Sequence, residues 1–393
     1  MAAFHSFRAM RAAGLNAHFY CAINRAFRPN LSIFAPGEHL IEFDIKEYVF
    51  PANSLDPFLF THNDRAFFTS LIEQLNKQRI DIFHFHHFWN VGTDLICQLM
   101  LCFPRAKFVL TIHEFLAICL RDGQMVRANT NSLCAKQTDI ECHMCFPQFD
   151  KDHFRARRQF FQDFLCRFDF LISPSEFLAQ RFSEWGIEKD IYVLENGYDP
   201  PPPSDQLDVD ESWVSKRFAF FGQATPFKGI DLFVSAASQI DTPDVTFAIY
   251  GCDRNAFAAR FGSTLDAPID RLGTRIQLLG PYDPSRVFSL MQQNGWIVVP
   301  SIWWENSPLV IQEAFLARRP PIVADIGGMR EKVESGATGL HFSARNSASL
   351  AAVIRNAAGN IDLWRRLRCA IVKPPTMKEA TDALLEIYSM IEK

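Results

Sequence analysis

Ten short apolar runs, none of them alternating, set the limits on what this chain can fold into. Five lie at 16–21, 80–85, 107–112, 168–173 and 191–195, and five more at 217–222, 245–251, 275–279, 296–300 and 320–325. They are rich in Val, Ile, Phe and Tyr. A strand with one wet face alternates with period two, whereas a strand covered on both faces is apolar throughout. These runs are therefore read as strands of parallel sheets. The longer segments between them carry helical spacing, which gives repeated strand–helix–strand units.

The two sets of runs are separated by a break. Asn196-Gly197 closes the fifth run, and prolines fill 200–203. Proline lacks an N–H and has a fixed φ, so neither a helix nor an inner strand continues through four of them. The linker is placed at 197–212. The expected division is an N-terminal domain over 1–200, a C-terminal domain over 201–375 and a terminal helix over 376–393 that packs back on the N-terminal domain. In that helix Ala380, Leu384, Leu385, Tyr388 and Ile391 recur at helical spacing. With 393 residues, 48% of them hydrophobic, each half can bury its own core. The fold class expected is α/β, with two Rossmann-like domains facing a central cleft. Ligands then bind beyond the C-terminal ends of the strands.

Charge and composition exclude several functions. A net charge of −4 gives no nucleic-acid surface. No apolar run approaches the roughly 18 residues of a membrane span. The opening MAAFHSFRAMRAAGLNAHFY lacks the apolar core of a signal peptide. A cytoplasmic protein is expected, in which the ten cysteines are thiols or metal ligands rather than disulfides.

The stretch 296–328 carries the most chemistry. It reads strand (WIVVPS), loop (IWWENS), helix (PLVIQEAFLARR), strand (PPIVAD), then Gly327-Gly328. Ser307 is expected to cap the helix, with Pro308 as its first residue. A helix start offers unpaired N–H groups and a positive dipole end to a phosphate. Glu305 precedes the helix, and Glu313 lies roughly 7.5 Å along it from Pro308 at 1.5 Å per residue. A diphosphate at Asn306, Ser307, Pro308 and Leu309 would have one carboxylate near each end. Alone, such a glutamate pair reads as ordinary first-turn residues; its place after a buried strand favours a site. The stretch FAFFGQATPFKG at 218–229 is similar, since a strand ends at Gly222 and Gln223 and Lys228 follow in a loop. Lys228 is either a cation for a diphosphate or a solvated loop lysine.

These features together resemble the C-terminal domain of the family-4 retaining glycosyltransferases, which have the GT-B fold. The resemblance rests on Glu305-x7-Glu313, Gly222…Lys228-Gly229, Asn196-Gly197 and Gly327-Gly328…Glu331, and runs from about 190 to 345. It implies that Glu305 contacts hydroxyls of the transferred sugar and Glu313 the ribose of a UDP- or GDP-sugar. It also implies that Gly222, Gln223, Lys228 and the backbone at 307–309 hold the diphosphate. The family usually has arginine at Gln223, which can hydrogen-bond a phosphate but brings no charge. The expected reaction moves a sugar with retention to a glycan or lipid-linked saccharide, with no cofactor required for catalysis. Rival readings are another enzyme of the same fold, such as an epimerase or phosphorylase, and an inactive homologue that binds sugar nucleotides or proteins.

In the first half, KFVLTIHE ends a strand in His113-Glu114. The family carries His-Asp or His-Glu there, which assigns His113 to the reacting end of the donor sugar; the alternative is a histidine that merely closes the strand. DIFHFHH at 81–87 adds His84, facing the core, and His86 and His87. In the family the first strand leads into a Gly-rich loop. This sequence opens in the helix FHSFRAMRAAG and goes straight to the 16–21 run, so either the true start lies upstream or that strand is lacking, in which case an unpaired strand edge is expected.

Two further features stand out. The insert 119–145 holds Cys119, Cys134, Cys142 and Cys145, a set open to a structural zinc site or to four thiols. The segment 150–168 mixes Arg155, Arg157 and Arg158 with Phe154, Phe160, Phe161 and Phe164. It is open to peripheral contact with the inner face of a membrane, or to simple packing.

Overall fold

The computed structural model describes residues 2–23, 40–52, 56–62, 64–199 and 210–391. The chain divides into two compact units, Met1–Gly197 with Pro375–Lys393, and Tyr198–Pro374. The prolines at 200–203 lie outside the described residues.

Among the described residues the first unit holds seven strands: β1 (Phe19–Ile23), β2 (Ile41–Asp44), β3 (Glu47–Pro51), β4 (Ile82–Phe85), β5 (Lys107–Thr111), β6 (Phe170–Ser173) and β7 (Ile191–Val193). They form two sheets, β1-β3-β2 and β4-β5-β6-β7. The four-stranded sheet is parallel throughout. In the other, β1 and β3 are parallel and β2 is antiparallel to β3. Among the described residues no ladder joins the sheets, so β1 and β4 each present an edge.

The segment read as 150–168 is the helix Lys151–Cys166, capped by Asp150, whose side chain accepts from the His153 N–H. Phe154, Phe161 and Phe164 are buried with Arg157. The aromatic face that a membrane would receive is thus already taken by the core. The Arg157 guanidinium donates to the carbonyls of Phe58, Ala117 and Leu116. The helix Met377–Ile391 packs with the helix Ala2–Ala12 within this unit, and its Leu384 and Ile387 join Val109 and Ile172 in one apolar cluster.

The second unit holds β8 (Arg217–Phe221), β9 (Thr246–Tyr250), β10 (Ile276–Leu278), β11 (Trp296–Val299), β12 (Pro321–Ala324) and β13 (Leu340–Phe342). The order is β10-β9-β8-β11-β12-β13, all parallel. The sheet is therefore doubly wound. Its first strand, β8, is central, and the chain reverses its direction of winding between β8 and β11. Phe218, Phe247 and Trp296 are fully buried among the aliphatic residues of these strands, which explains the unbroken apolar runs.

No helix among the described residues is long and apolar enough to cross a membrane.

Candidate active site

In an open parallel sheet, the loops after the two strands flanking the reversal separate and leave a crevice. Here those strands are β8 and β11. The loop after β8 makes one turn of 3-10 helix, Pro226–Lys228, and ends on Gly229 at φ 67°. A Cβ on Gly229 would stand 2.0 Å from the Pro300 carbonyl oxygen, so only glycine lets this loop lie against the one after β11. The Ile302 N–H donates to the Phe227 carbonyl at 2.9 Å and closes the contact.

The crevice brings Lys228 to Glu305. Lys228 Nζ donates to Glu305 Oε1 at 2.7 Å. The same oxygen accepts from Ser301 Oγ and Trp303 Nε1, each at 2.8 Å. Glu305 is 7% exposed, so its charge is desolvated and held by one cation and two neutral donors. The ammonium also lies 5.7 Å from the centre of the Trp303 ring, within cation–π range. Behind Glu305 the Gly328 N–H donates to its carbonyl at 2.8 Å. A Cβ on Gly328 would sit 1.5 Å from the Asn306 carbonyl oxygen, so this glycine lets the loop and the next helix meet.

The helix after the loop runs Leu309–Leu316. This differs from the sequence expectation at its start. Pro308, at ψ 116°, is the cap rather than the first helical residue, and no side chain caps the helix. Extended backbone at Pro308 moves the start one residue on. Ser307 Oγ is buried and has no hydrogen-bond partner among the described residues. Glu313 lies on this helix and accepts from Tyr198 Oη at 2.9 Å. Burial pushes its carboxyl above the usual range, and the Tyr198 bond only partly offsets this. Burial, helped by Glu313, pushes the Tyr282 phenol up to about 12. Gln223 is exposed beside half-buried Gly222.

Sequence reasoning missed Ser301, Trp303 and Tyr198. Ser301 closes the run read as the strand WIVVPS, and Trp303 lies in the loop after it, where the Trp303-Trp304 doublet was the available signal. Tyr198 directly follows Asn196-Gly197, but nothing in a sequence shows a contact across 115 positions.

In the first unit, His113 stands two residues beyond β5. Its Nε2 lies 3.0 Å from His86 Nδ1. His84 sits between Thr111 Oγ1, at 2.7 Å, and Tyr388 Oη, at 2.6 Å. His87 Nδ1 lies 3.1 Å from Glu114 Oε2. Protein packed around the rings lowers the proton affinity of His84 and His113 to about 3 each, and that of His86 well below the ordinary value. All three are neutral at pH 7.

The Cys-rich insert is a turn, a hairpin and a helix. The Cys134 N–H donates to the Met125 carbonyl at 2.7 Å, and Val126 bridges Leu133. Cys142 and Cys145 lie on the helix Asp139–Cys145. The Ala128 N–H reaches Cys145 Sγ at 3.4 Å, and Arg127 pairs with Glu141, tying hairpin to helix. The four thiols share a neighbourhood: burial, then the nearness of Cys119, Cys134 and Cys145, pushes Cys142 up to about 12. Among the described residues, however, no group of three or more His, Cys, Asp or Glu stands so as to hold a metal ion.

Comparison with known proteins matches both units. The model described as "Glycosyltransferase Family 4" matches residues 7–201, and "Glycosyl transferases group 1" matches 215–360. The chain belongs to the family-4 glycosyltransferases. The fold agrees. This glycosyltransferase superposes with a TM-score of 0.67 on Anabaena Alr3699/HepE in complex with UDP and glucose, at 18% identity over 99% of this chain and 96% of that one. The sucrose-phosphate synthase of Thermosynechococcus elongatus gives 0.70 at 17% identity over 98% and 91%. Both have the two-domain GT-B architecture.

Curated relatives include the D-inositol 3-phosphate glycosyltransferase of Nocardia farcinica, 27% identical over 44% of this chain and 40% of that protein. The lipopolysaccharide 1,2-N-acetylglucosaminetransferase of Salmonella typhimurium is 26% identical over 44% and 48%. Each alignment spans less than half of the relative.

Proposed function

We propose that this glycosyltransferase moves a sugar from a nucleoside diphosphate sugar to a hydroxyl of a glycan or lipid-linked saccharide, with retention of configuration. The observation that carries this reading is the Lys228–Glu305 pair at the reversal point of the second unit. Just ahead of it lies a helix start where the Ser307 hydroxyl is buried and unpartnered. A UDP donor is favoured by Anabaena Alr3699/HepE, which binds UDP and UDP-glucose.

The mechanism follows from the chemistry of these groups. On donor binding Lys228 exchanges Glu305 for the diphosphate, and Glu305 becomes an acceptor for sugar hydroxyls. The N–H groups at Leu309 and Val310 and the Ser307 hydroxyl take phosphate oxygens. Glu313 accepts from the ribose. The bond from the anomeric carbon to the diphosphate breaks while the acceptor oxygen bonds to the same face. The departing diphosphate oxygen takes the acceptor proton, so no protein base is needed. Lys228 and the helix start stabilise the negative charge that develops on the leaving group. Neutral His113 orients the sugar without adding charge. Gly222 and Gln223 line the phosphate end. A structural zinc at Cys119, Cys134, Cys142 and Cys145 belongs to the same proposal as a brace for the insert. It requires the sulfurs to draw together, and far less than one equivalent of zinc in protein purified under reducing conditions would end it.

The test is a thermal-shift panel with UDP, GDP and ADP. A ligand at about 100 times its Kd stabilises by roughly 2.7 kcal/mol, a readable shift of a few degrees. The expected result is a shift with UDP that is clearly reduced in Glu313→Ala. No shift with any nucleotide would reject the donor site. A UDP shift without turnover of any nucleotide sugar would favour a binding protein that does not transfer.

A further inference from the structure

His113 has a line of polar contacts behind it that the mechanism does not use. β4 and β5 run parallel with His84 opposite Val109 and Phe85 opposite Leu110. Residues two apart on a strand share a face, so His84 goes with His86, and Thr111 with His113. The distances place these two pairs on one common face. His84 Nε2 lies 2.7 Å from Thr111 Oγ1, and His86 Nδ1 lies 3.0 Å from His113 Nε2. The rings form a column. His84 and His86 stack at 4.4 Å between centres and 23° between planes, and His86 and His113 at 5.3 Å and 17°.

The column ends on the C-terminal helix. Tyr388 Oη lies 2.6 Å from His84 Nδ1, and its ring stands edge-on to the imidazole at 81°. The helix face around Tyr388 is apolar, with Leu384 and Ile387 in the cluster with Val109 and Ile172. A phenylalanine would fill that face equally well. Among the described residues the hydroxyl's hydrogen-bond partner is His84. A neutral imidazole has one donor and one acceptor nitrogen, and here both are engaged. The ring cannot flip or turn without giving up one of these two bonds. With the plane of His84 fixed, the ring stacked on it is fixed too, and that ring bonds His113.

We infer that Tyr388 is a positioning residue for His113, acting through the His84–His86 stack so that the C-terminal helix sets the ring plane and tautomer of a group in the transfer site. The inference rests on the reading of His113 as a group at the sugar end of that site.

The test uses the full chain labelled with 15N only at histidine, comparing wild type with Tyr388→Phe by two-bond 1H–15N correlation. Wild type is expected to show a single tautomer for each of His84, His86 and His113. In Y388F all three change, with His86 and His113 populating mixed tautomers, while the melting midpoint stays within a few degrees. UDP-glucose hydrolysis by Y388F, read as UDP release, is expected to lose about tenfold in kcat with KM unchanged, as slight misplacement of a catalytic-site group does. The inference is overturned if His84 alone responds and the His86 and His113 signals stay as in wild type. Should Y388F fail to fold, Thr111→Val removes the other bond to His84 and is read in the same way. The underlying reading fails separately: His113→Ala hydrolysing UDP-glucose at the wild-type rate would remove His113 from the site and leave the tautomer result standing.

Discussion

The two units carry opposite electrostatics at the ends of their central strands. In the second unit a desolvated carboxylate, Glu305, is held by Lys228, Ser301 and Trp303, and a second carboxylate, Glu313, is held by Tyr198. In the first unit the corresponding strand ends carry neutral imidazoles bonded to one another. Transfer from a nucleoside diphosphate sugar creates negative charge on the leaving group and needs stabilisation there. On the function proposed above, charge stabilisation would fall to the second unit and uncharged orientation to the first.

Glu305→Ala is the harshest way to break this contrast. It leaves Lys228, Ser301 and Trp303 without their shared acceptor. UDP release from UDP-glucose is expected to fall by on the order of 10²–10³-fold, the loss typical of an electrostatic group in a transition state. Stability should fall by about 1–3 kcal/mol for unpaired buried donors. Glu305→Gln keeps the shape and separates the two effects. Turnover near the wild-type rate in E305A would remove Glu305 from the chemistry.

Glu313→Ala comes next in size. It should weaken UDP by roughly ten- to a hundredfold, since a hydrogen bond to a charged group is worth about 1.5–3 kcal/mol. Titration calorimetry with UDP measures this directly. An unchanged Kd would place the ribose elsewhere.

Acid should act on the first unit before the second. His84 and His113 gain a proton in the folded chain only near pH 3, whereas an unfolded histidine gains one near pH 6.5. Between these values the unfolded state binds more protons. Stability is thus full above about pH 6.5 and falls as pH drops below it, by up to about 1.4 kcal/mol per pH unit per histidine. Glu313, whose carboxyl is raised by burial, has the opposite sign, since there the folded state is the one that binds more protons as pH falls. Scanning calorimetry at pH 7.5 and 5 should show the transition that UDP does not shift moving down first. If the UDP-responsive transition moves first, the column is not where acid acts.

How much of this was legible in the sequence depends on the kind of signal. The strands of the second unit stand out because both faces are buried, which leaves unbroken apolar runs such as WIVV and FAFF. Lys228 and Glu305 follow strand ends, so chain order alone brought them to attention. Their direct pairing was not foreseen, because each had been given a ligand to hold. The helix start at Ser307-Pro308 shifted by one residue because a proline serves equally as cap or as first residue, and the choice turns on ψ at that bond. Phe154, Phe161 and Phe164 left membrane contact and packing both open, because amphipathicity shows that a face is apolar without showing what covers it; these three are buried in the unit's own core. Tyr388 entered only as one apolar position of a helix, since its bond to His84 spans 304 residues.

Gln223→Arg gives the smallest and most discriminating effect. The family's usual arginine is replaced here by an exposed, uncharged side chain next to Gly222. If the diphosphate lies at the strand end between Gly222 and Ser307, a guanidinium at 223 is within reach of it. At so exposed a position, water and salt screen the charge. The gain in UDP affinity is therefore expected to be about two- to fivefold at low salt, from a few tenths to 1 kcal/mol, and to fade near 0.5 M salt. Uridine, which lacks the diphosphate, should bind wild type and Q223R alike. A gain shared by uridine would mean that residue 223 contacts the nucleoside rather than the phosphates, and would reverse the orientation of the donor along the crevice. A gain confined to UDP would fix that orientation, with the diphosphate at the ends of β8 and β11 and all the charge of the reaction held within the second unit.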